Sequence, residues 1–256
     1  MSNMFSRELT VLADGQPVSG FGRACLSGRE ALGLYPMPFT LRLWNLAEDQ
    51  FLMLSRAREV SVSCEGSVLA CGQVSDVYRR ITPEGTVTFA VFSLGLGLWE
   101  APVSLSVEAG VSVSETVRRI LAASGTDVPL LSFPGEDMLF SRGQAFFGRA
   151  SECVASALSA VCARGYLTPS GLCVVPAEGV PVSLELSEKD LVSAPSFPSG
   201  SLMVLRTTVT GWPVGKQVSV EYGGLHAEGL ILERFVEADT AGVWRTEILI
   251  EMASVL

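Results

Sequence analysis

The sequence predicts a mainly β (α+β) protein in which two similar antiparallel β-barrels flank a small α/β insert. Three observations predict it. The passage Arg58-Glu-Val-Ser-Val-Ser-Cys-Glu-Gly-Ser-Val-Leu-Ala-Cys-Gly72 returns later as Lys216-Gln-Val-Ser-Val-Glu-Tyr-Gly-Gly-Leu-His-Ala-Glu-Gly229. Val60, Ser61, Val62 and Gly66 match Val218, Ser219, Val220 and Gly224; with one residue deleted, Gly72 and Gly85 match Gly229 and Gly242. A repeat at a fixed distance sets the architecture before any local pattern does. The second observation is apolar alternation with a period of two on both sides of the chain's middle. The third is that helical periodicity is confined to that middle. The expected division is 1–104 for the first barrel, 105–182 for the insert and 183–256 for the second barrel.

Strands are expected at 8–12 and 21–26. Residues 39–46 then alternate, with Phe39, Leu41 and Leu43 toward one face and Thr40, Arg42 and Trp44 toward the other. Strands at 59–63, 69–79 and 86–93 follow, with turns at Glu65-Gly66 and Pro83-Glu-Gly85. About six strands in so short a span tend to close into a barrel or roll, which hides their edges. In the insert, Ser112-Val-Ser-Glu115 reads as a capping box, with Val117, Ile120 and Leu121 on one helical face and Gly125 as the stop. A second helix is expected over 151–164, burying Val154, Leu158, Val161 and Cys162 and ending at Gly165. A hairpin over 166–175 turns at Pro169-Ser-Gly171. After a turn-rich loop at 194–200, strands are expected at 202–210, 217–222, 230–237 and 244–252.

Hydrophobic residues make up 48% of the 256 and charged residues 18%, with a mean hydropathy of +0.39. An ordinary soluble domain carries roughly 25% charged residues. Such a surplus goes into a subunit interface or a membrane. The uncharged stretch 86–99 is too short to span, and 191–205 is interrupted by Pro195 and Pro198. An obligate oligomer is the better account.

The net charge of −9 argues against a nucleic-acid reader, which presents a basic patch to phosphates. The pairs Arg79-Arg80 and Arg118-Arg119 read as solvated surface charge. No charged segment followed by an apolar core opens the chain, so no secretion signal is expected. Cysteines 25, 64, 71, 153, 162 and 173 lack a Cys-x-x-Cys spacing and read as free buried thiols, with no metal site expected.

No catalytic constellation emerges. His226 is the one histidine, and it occupies a repeat turn where the first copy has Val68. Gly95-Leu-Gly97 lacks the third glycine of a dinucleotide loop and follows a hairpin rather than opening a helix. Glu48-Asp49 and Asp14 read as turn carboxylates. No enzymatic activity, cofactor or catalytic residue is expected.

The order of parts, from Phe39-Thr-Leu-Arg-Leu-Trp-Asn-Leu46 through Glu59-Val-Ser-Val62, Cys71-Gly-Gln-Val74 and Phe92-Ser-Leu94 to the helix at 114–123, Val214-Gly-Lys-Gln-Val-Ser-Val220 and Trp244-Arg-Thr-Glu-Ile248, resembles the baseplate hub proteins of tailed bacteriophages and related contractile injection systems. The resemblance implies two tail-tube-type β-barrels in one chain and a homotrimer, whose three chains match a six-fold tail tube on one side and a three-fold spike on the other. It implies as partners a tail tube or distal tail protein, a central spike protein and a tape-measure protein. DNA would pass through the channel without specific binding, and the chain would sit in the virion tail baseplate, assembled in the bacterial host cytoplasm and not in a membrane. Glu221 and Glu247, on the repeat strands, would face that channel and repel phosphate. The competing readings are a secreted or periplasmic β-rich carbohydrate-binding module, which would expose aromatics on one face, and a hydrolase on a β-scaffold.

Overall fold

The computed structural model describes residues 8–134, 137–177, 180–207 and 214–255. The chain runs β1 (Leu9–Ala13), β2 (Gln16–Val18), β3 (Arg23–Ala31), β4 (Pro38–Trp44), α1 (Glu48–Arg56), β5 (Glu59–Cys64), β6 (Ser67–Thr82) and β7 (Gly85–Ser93). The middle follows with α2 (Leu96–Glu100), β8 (Pro102–Val107), α3 (Val113–Ser124), β9 (Leu130–Ser132), β10 (Gln144–Arg149), α4 (Ala150–Ser159), β11 (Ala163–Thr168) and β12 (Gly171–Pro176). Last come β13 (Val180–Leu186), β14 (Ser196–Ser199), β15 (Leu202–Thr207), β16 (Lys216–Tyr222), β17 (Leu225–Asp239) and β18 (Trp244–Val255).

The strands at the two ends of the chain join one hydrogen-bonded sheet, ordered β14-β15-β18-β17-β3-β4-β7-β6-β5-β1-β2, with β16 and β13 branching from β17. The junction is the antiparallel pair β17–β3. Three apolar clusters form the core. Phe39, Leu41, Leu43, Val60, Val62 and Phe92 anchor the first. Val117, Ile120, Val154 and Leu158 anchor the second, among the middle elements. Met203, Leu205, Val218, Val220, Ile248 and Ile250 anchor the third.

The two copies of the repeat fold as matching meanders, β5-β6-β7 and β16-β17-β18. Both open with a two-residue hairpin turn whose residues have positive φ: Glu65 and Gly66 at 50° and 81°, Gly223 and Gly224 at 54° and 85°. That conformation fits the right-handed twist of the flanking strands. Gly72 stands opposite Val60, and Gly229 stands opposite the matching Val218. A Cβ on Gly72 would lie 2.3 Å from the Ser93 backbone, and one on Gly229 would lie 2.4 Å from the Glu251 carbonyl. In each copy a register shift follows three residues later, at Ser75 and at Leu232. The one-residue difference between the copies also has a structural address. In the first hairpin Val62 pairs with Ala70 and Ser63 with Val68, so Leu69 is an extra residue with no ladder partner; the second hairpin pairs without interruption from Gln217↔Leu230 to Tyr222↔Leu225.

Several local expectations need correction. Glu48 and Asp49 form the first turn of α1 rather than a loop; acidic residues there suit the positive end of the helix dipole, and Leu54 on its inner face is fully buried. Arg79 is no free surface charge: it ion-pairs with Glu48, donates to the Leu46 and Ala47 carbonyls at 3.0 and 3.2 Å, and stacks 4.0 Å from the Phe51 ring. In α3 the Ser112 hydroxyl accepts from the Glu115 N–H at 3.2 Å and Gly125 caps the end in the left-handed region, but the Glu115 carboxylate turns to Arg119 at 3.0 Å instead of closing the box. Helix α4 stops at Ser159. Cys162 has φ 49° and is exposed, and Gly165 lies inside β11 with the space of its missing Cβ 3.0 Å from Leu158. Gly95 does open a helix, the five-residue α2. Residues 196–199 of the expected loop form β14, and residues 208–210 of the expected strand lie outside the described residues.

Replacing Gly72 or Gly229 by alanine drives a methyl group into backbone that cannot move aside, and each is expected to destabilise the chain by about 1–3 kcal/mol. Gly66→Ala meets open space and pays only for its left-handed φ, about 1 kcal/mol. Urea unfolding of the three variants checks the order; equal losses would mean that the two close approaches are not structural constraints.

Candidate functional site

The meanders meet at a buried guanidinium. Arg234 on β17 stands directly opposite Glu30 on β3. It is 5% exposed, lies 2.7 Å from the Glu30 carboxylate, and donates at 2.9 Å to the carbonyl of Leu69, the unpaired bulge residue of the first copy. Burial pushes the Glu30 carboxyl upward from its usual range, against the pull of Arg234. A cavity of about 230 Å³ opens beside the pair, lined by Glu30, Cys71, Tyr166, Val214 and Arg234. Burial pushes the Cys71 thiol up to about 12, so it stays protonated rather than serving as a nucleophile.

A second tie joins two hairpin ends. Arg23 holds Asp239, at the end of β17, with Nε–Oδ1 at 2.9 Å and Nη2–Oδ2 at 2.5 Å, and reaches Glu84 in the β6–β7 turn at 3.5 Å. The same Glu84 accepts from Trp44 Nε1 at 3.1 Å, and Arg23 lies 4.5 Å over the Trp44 ring. This hydrogen bonding from Arg23 holds the Asp239 carboxyl below its usual value. The tied ends bring the Pro83-Glu84 turn, which Gly85 follows, and the turn containing Gly242 to one rim. Ile81 (90% exposed) and Val243 (59% exposed) stand beside those turns.

The outer face of the sheet is a ladder of compensated charges. Glu247 pairs with Arg206 at 2.9 Å, Glu237 with Arg245 at 2.8 Å and Glu233 with Arg29 at 3.1 Å. Tyr78 and Phe89 stack 5.0 Å apart with Arg80 over both. Of the two carboxylates expected to face a channel, Glu247 is therefore neutralised in place, while Glu221 is largely exposed and 3.8 Å from His226.

His226 is the second residue of β17, as Val68 is of β6, so it belongs to a strand rather than a turn. It lies between Glu221 and Glu228, 3.7 Å from the latter. Among the described residues no group of three or more His, Cys, Asp or Glu is placed to hold a metal ion. None of the six cysteines is in a disulfide; Cys25, Cys64, Cys71 and Cys153 are buried, Cys173 partly so. Among the described residues no helix is long and apolar enough to cross a membrane. The exposed aromatics Tyr35, Phe147 and Phe197 lie in the β3–β4 loop, β10 and β14 respectively. Asp14, in the β1–β2 turn, accepts from the Arg58 and Glu59 N–H groups and so fixes the start of β5. Neither Arg234 nor Arg23 was picked out from the sequence, although the one-residue mismatch between the copies marks where a carbonyl would need a donor.

No family model and no curated protein matches the chain. Solved structures do. A tail protein from Neisseria meningitidis MC58 superposes with a TM-score of 0.73 at 11% identity, covering 96% of this chain and 97% of that one. The 43 kDa tail protein of prophage MuSo2 from Shewanella oneidensis gives 0.71 at 13% identity, with 96% of each chain covered. An Escherichia coli component of the type VI secretion system, described as structurally similar to the bacteriophage T4 tail proteins gp27 and gp5, gives 0.69 at 11% identity over 95% of this chain and 77% of that one. The chain has the fold of phage tail proteins. That fold is rich in antiparallel strands and takes in the described parts of both meanders and the elements between them.

Two outcomes follow from the ties. Glu30→Ala leaves a buried guanidinium uncompensated and is expected to cost about 3 kcal/mol in urea unfolding. Replacing both Glu30 and Arg234 by methionine costs less than that, because only the Leu69 carbonyl is then orphaned. A double variant weaker than Glu30→Ala would refute the buried charge as the cause. The second outcome concerns pH. A carboxylate whose folded pKa is depressed contributes stability above its usual value of 3.8, and loses it as pH falls through the folded value. The stability gap between the native chain and Asp239→Asn should be complete at neutral pH and close below about pH 4. A gap independent of pH would show that the Arg23–Asp239 ion pair contributes nothing.

Proposed function

We propose that the chain is a non-enzymatic structural component of a phage tail or related injection machine, serving as its baseplate hub. The observation that carries this reading is the end-to-end agreement in fold with tail proteins, over nearly the whole of both chains. In this reading residues 1–104 and 183–256 act as two equivalent barrel-type units, with 105–182 as the insert. The matched turns, glycines and register shifts of β5-β6-β7 and β16-β17-β18 support treating them as equivalents. Three chains then present six such units to a tail tube or distal tail protein and three-fold symmetry to a central spike. A tape-measure protein and DNA pass through the middle, and the chain resides in the virion tail. The apolar surplus of the composition supports subunit contacts, and the rim bearing Ile81 and Val243 supplies apolar surface for them. The compensated charges around Glu233, Glu237 and Glu247 favour a lumen that is slippery through local neutrality rather than through a strong acidic field.

Light scattering of the purified chain tests the reading. A particle of three times the 27.2 kDa chain mass is expected, weakened by Ile81→Asp. A monomer at tens of micromolar that also fails to associate with tail tube and spike proteins would remove the hub assignment.

A further inference from the structure

Edge strands invite pairing by other chains, and proteins blunt them with devices such as proline, which has no N–H to offer. Two terminal strands of the main sheet contain one: Pro17 in β2 and Pro198 in β14. The two-stranded sheet of the insert is different. Strand β10 (Gln144-Ala-Phe-Phe-Gly-Arg149) contains no proline and, among the described residues, pairs only with β8.

The phase of that ladder shows which backbone groups are free. The Ala150 N–H donates to the Ala101 carbonyl at 2.9 Å, which makes 150/101 a hydrogen-bonded pair. Bonded and non-bonded pairs alternate along an antiparallel ladder. Gly148↔Val103 and Phe146↔Leu105 therefore exchange bonds, whereas Arg149↔Pro102, Phe147↔Ser104 and Ala145↔Ser106 do not. Pro102 falls at a non-bonded position, as it must. The N–H and C=O groups of Ala145, Phe147 and Arg149 thus point away from β8 along an open edge. On the same strand Phe146 is buried, while Phe147 is 88% exposed.

We propose that β10 is a strand-addition site that captures an extended segment of a different polypeptide, apolar at alternate positions and bearing carboxylates at its ends. The backbone edge supplies the affinity and Phe147 the side-chain contact, as in other strand-addition complexes. Charge identifies the partner. Residues 142–149 carry the exposed Arg142 and Arg149 and no carboxylate of their own, in a chain whose net charge is −9. Glu152 of α4 approaches Gly148 from outside the strand, and Arg149 lies 4.7 Å over the Trp99 ring, which leaves the two arginines as the excess charge of the edge. Pairing of β10 with β10 of a second copy, in either direction, would gather two arginines at each end. An acidic strand relieves that repulsion, and a second copy does not. The site is read from the edge geometry and its local charge and stands whether or not the chain is a tail hub.

The test uses the full chain and a fluorescent synthetic peptide of alternating valine and threonine with glutamate at both ends. Anisotropy should show binding that weakens about tenfold in Ala145→Pro and again in Phe147→Pro, each of which deletes one outward N–H. Ser104→Pro, on the far edge of the ribbon, should bind as the native chain does, and a lysine-ended peptide should bind more weakly. Hydrogen exchange on the unaltered chain requires no variant to fold: the Ala145 and Phe147 amides should exchange fast alone and slowly with the acidic peptide. Absence of binding at millimolar peptide, or bound peptide with those amides still fast, overturns the proposal. So does a dimer of the free chain that Ala145→Pro dissolves, because the occupant would then be a second copy.

Discussion

A carbonyl without a ladder partner sets the terms for the rest of the molecule. The first meander carries one residue more than the second, and Leu69 is that residue. A bulge residue leaves its backbone polar groups outside the ladder, and burying such a group without a partner costs free energy comparable to a lost hydrogen bond. The donor comes from the other meander, as the guanidinium of Arg234. A buried guanidinium needs its own counter-charge, and Glu30, across the β17–β3 pair, supplies it. In the first copy the position aligned with Arg234 is Val77, a partly buried apolar residue packed on the first cluster. The two copies are therefore similar in geometry but complementary in chemistry. The first offers an acceptor, and the second answers with a donor.

The choice of cation follows from the same geometry. All but Lys189 and Lys216 of the basic residues are arginines. A planar guanidinium can grip a carboxylate with two parallel bonds and lie over a ring at the same time. Arg23 does both, on Asp239 and Trp44, and Arg79 combines Glu48, two carbonyls and Phe51. A lysine could meet only one of these demands at each site. The consequence is a sheet whose outer face is patterned by pairs rather than by one sign of charge, although the whole chain is acidic.

Much of this was legible in the sequence, and the boundary between what was and was not has physical causes. The alternation of Phe39, Leu41 and Leu43 reports a sheet with one buried face, and these three residues are at most 1% exposed. The Glu65-Gly66 and Gly223-Gly224 turns, the α3 cap at Ser112 and the αL stop at Gly125 are local chemistry, and local chemistry can be read locally. Helix α1 was missed because its signal is one acidic turn followed by Phe51 and Leu54, too short for periodicity to outweigh a turn reading. The end of α4 was misplaced because Val161 and Cys162 continue the helical stripe in sequence, while Cys162 takes a left-handed φ of 49° that no helix accommodates, and Gly165 packs close to Leu158 from within β11. The Arg234–Glu30 pair and the Arg23–Asp239 tie each join residues more than 200 positions apart, a distance over which no spacing rule operates.

That division also accounts for a fold shared with phage tail proteins at 11–13% identity. The features that shape the sheet constrain residue type at few positions. A hairpin of this kind requires two residues that tolerate positive φ, a close crossing requires the absence of a side chain, and a strand requires only alternation. Many sequences meet such conditions. The demanding positions are those where a choice at one place forces a choice at another, as Leu69 forces Arg234 and Arg234 forces Glu30. They indicate where the chain's two similar halves depend on each other rather than merely resemble each other.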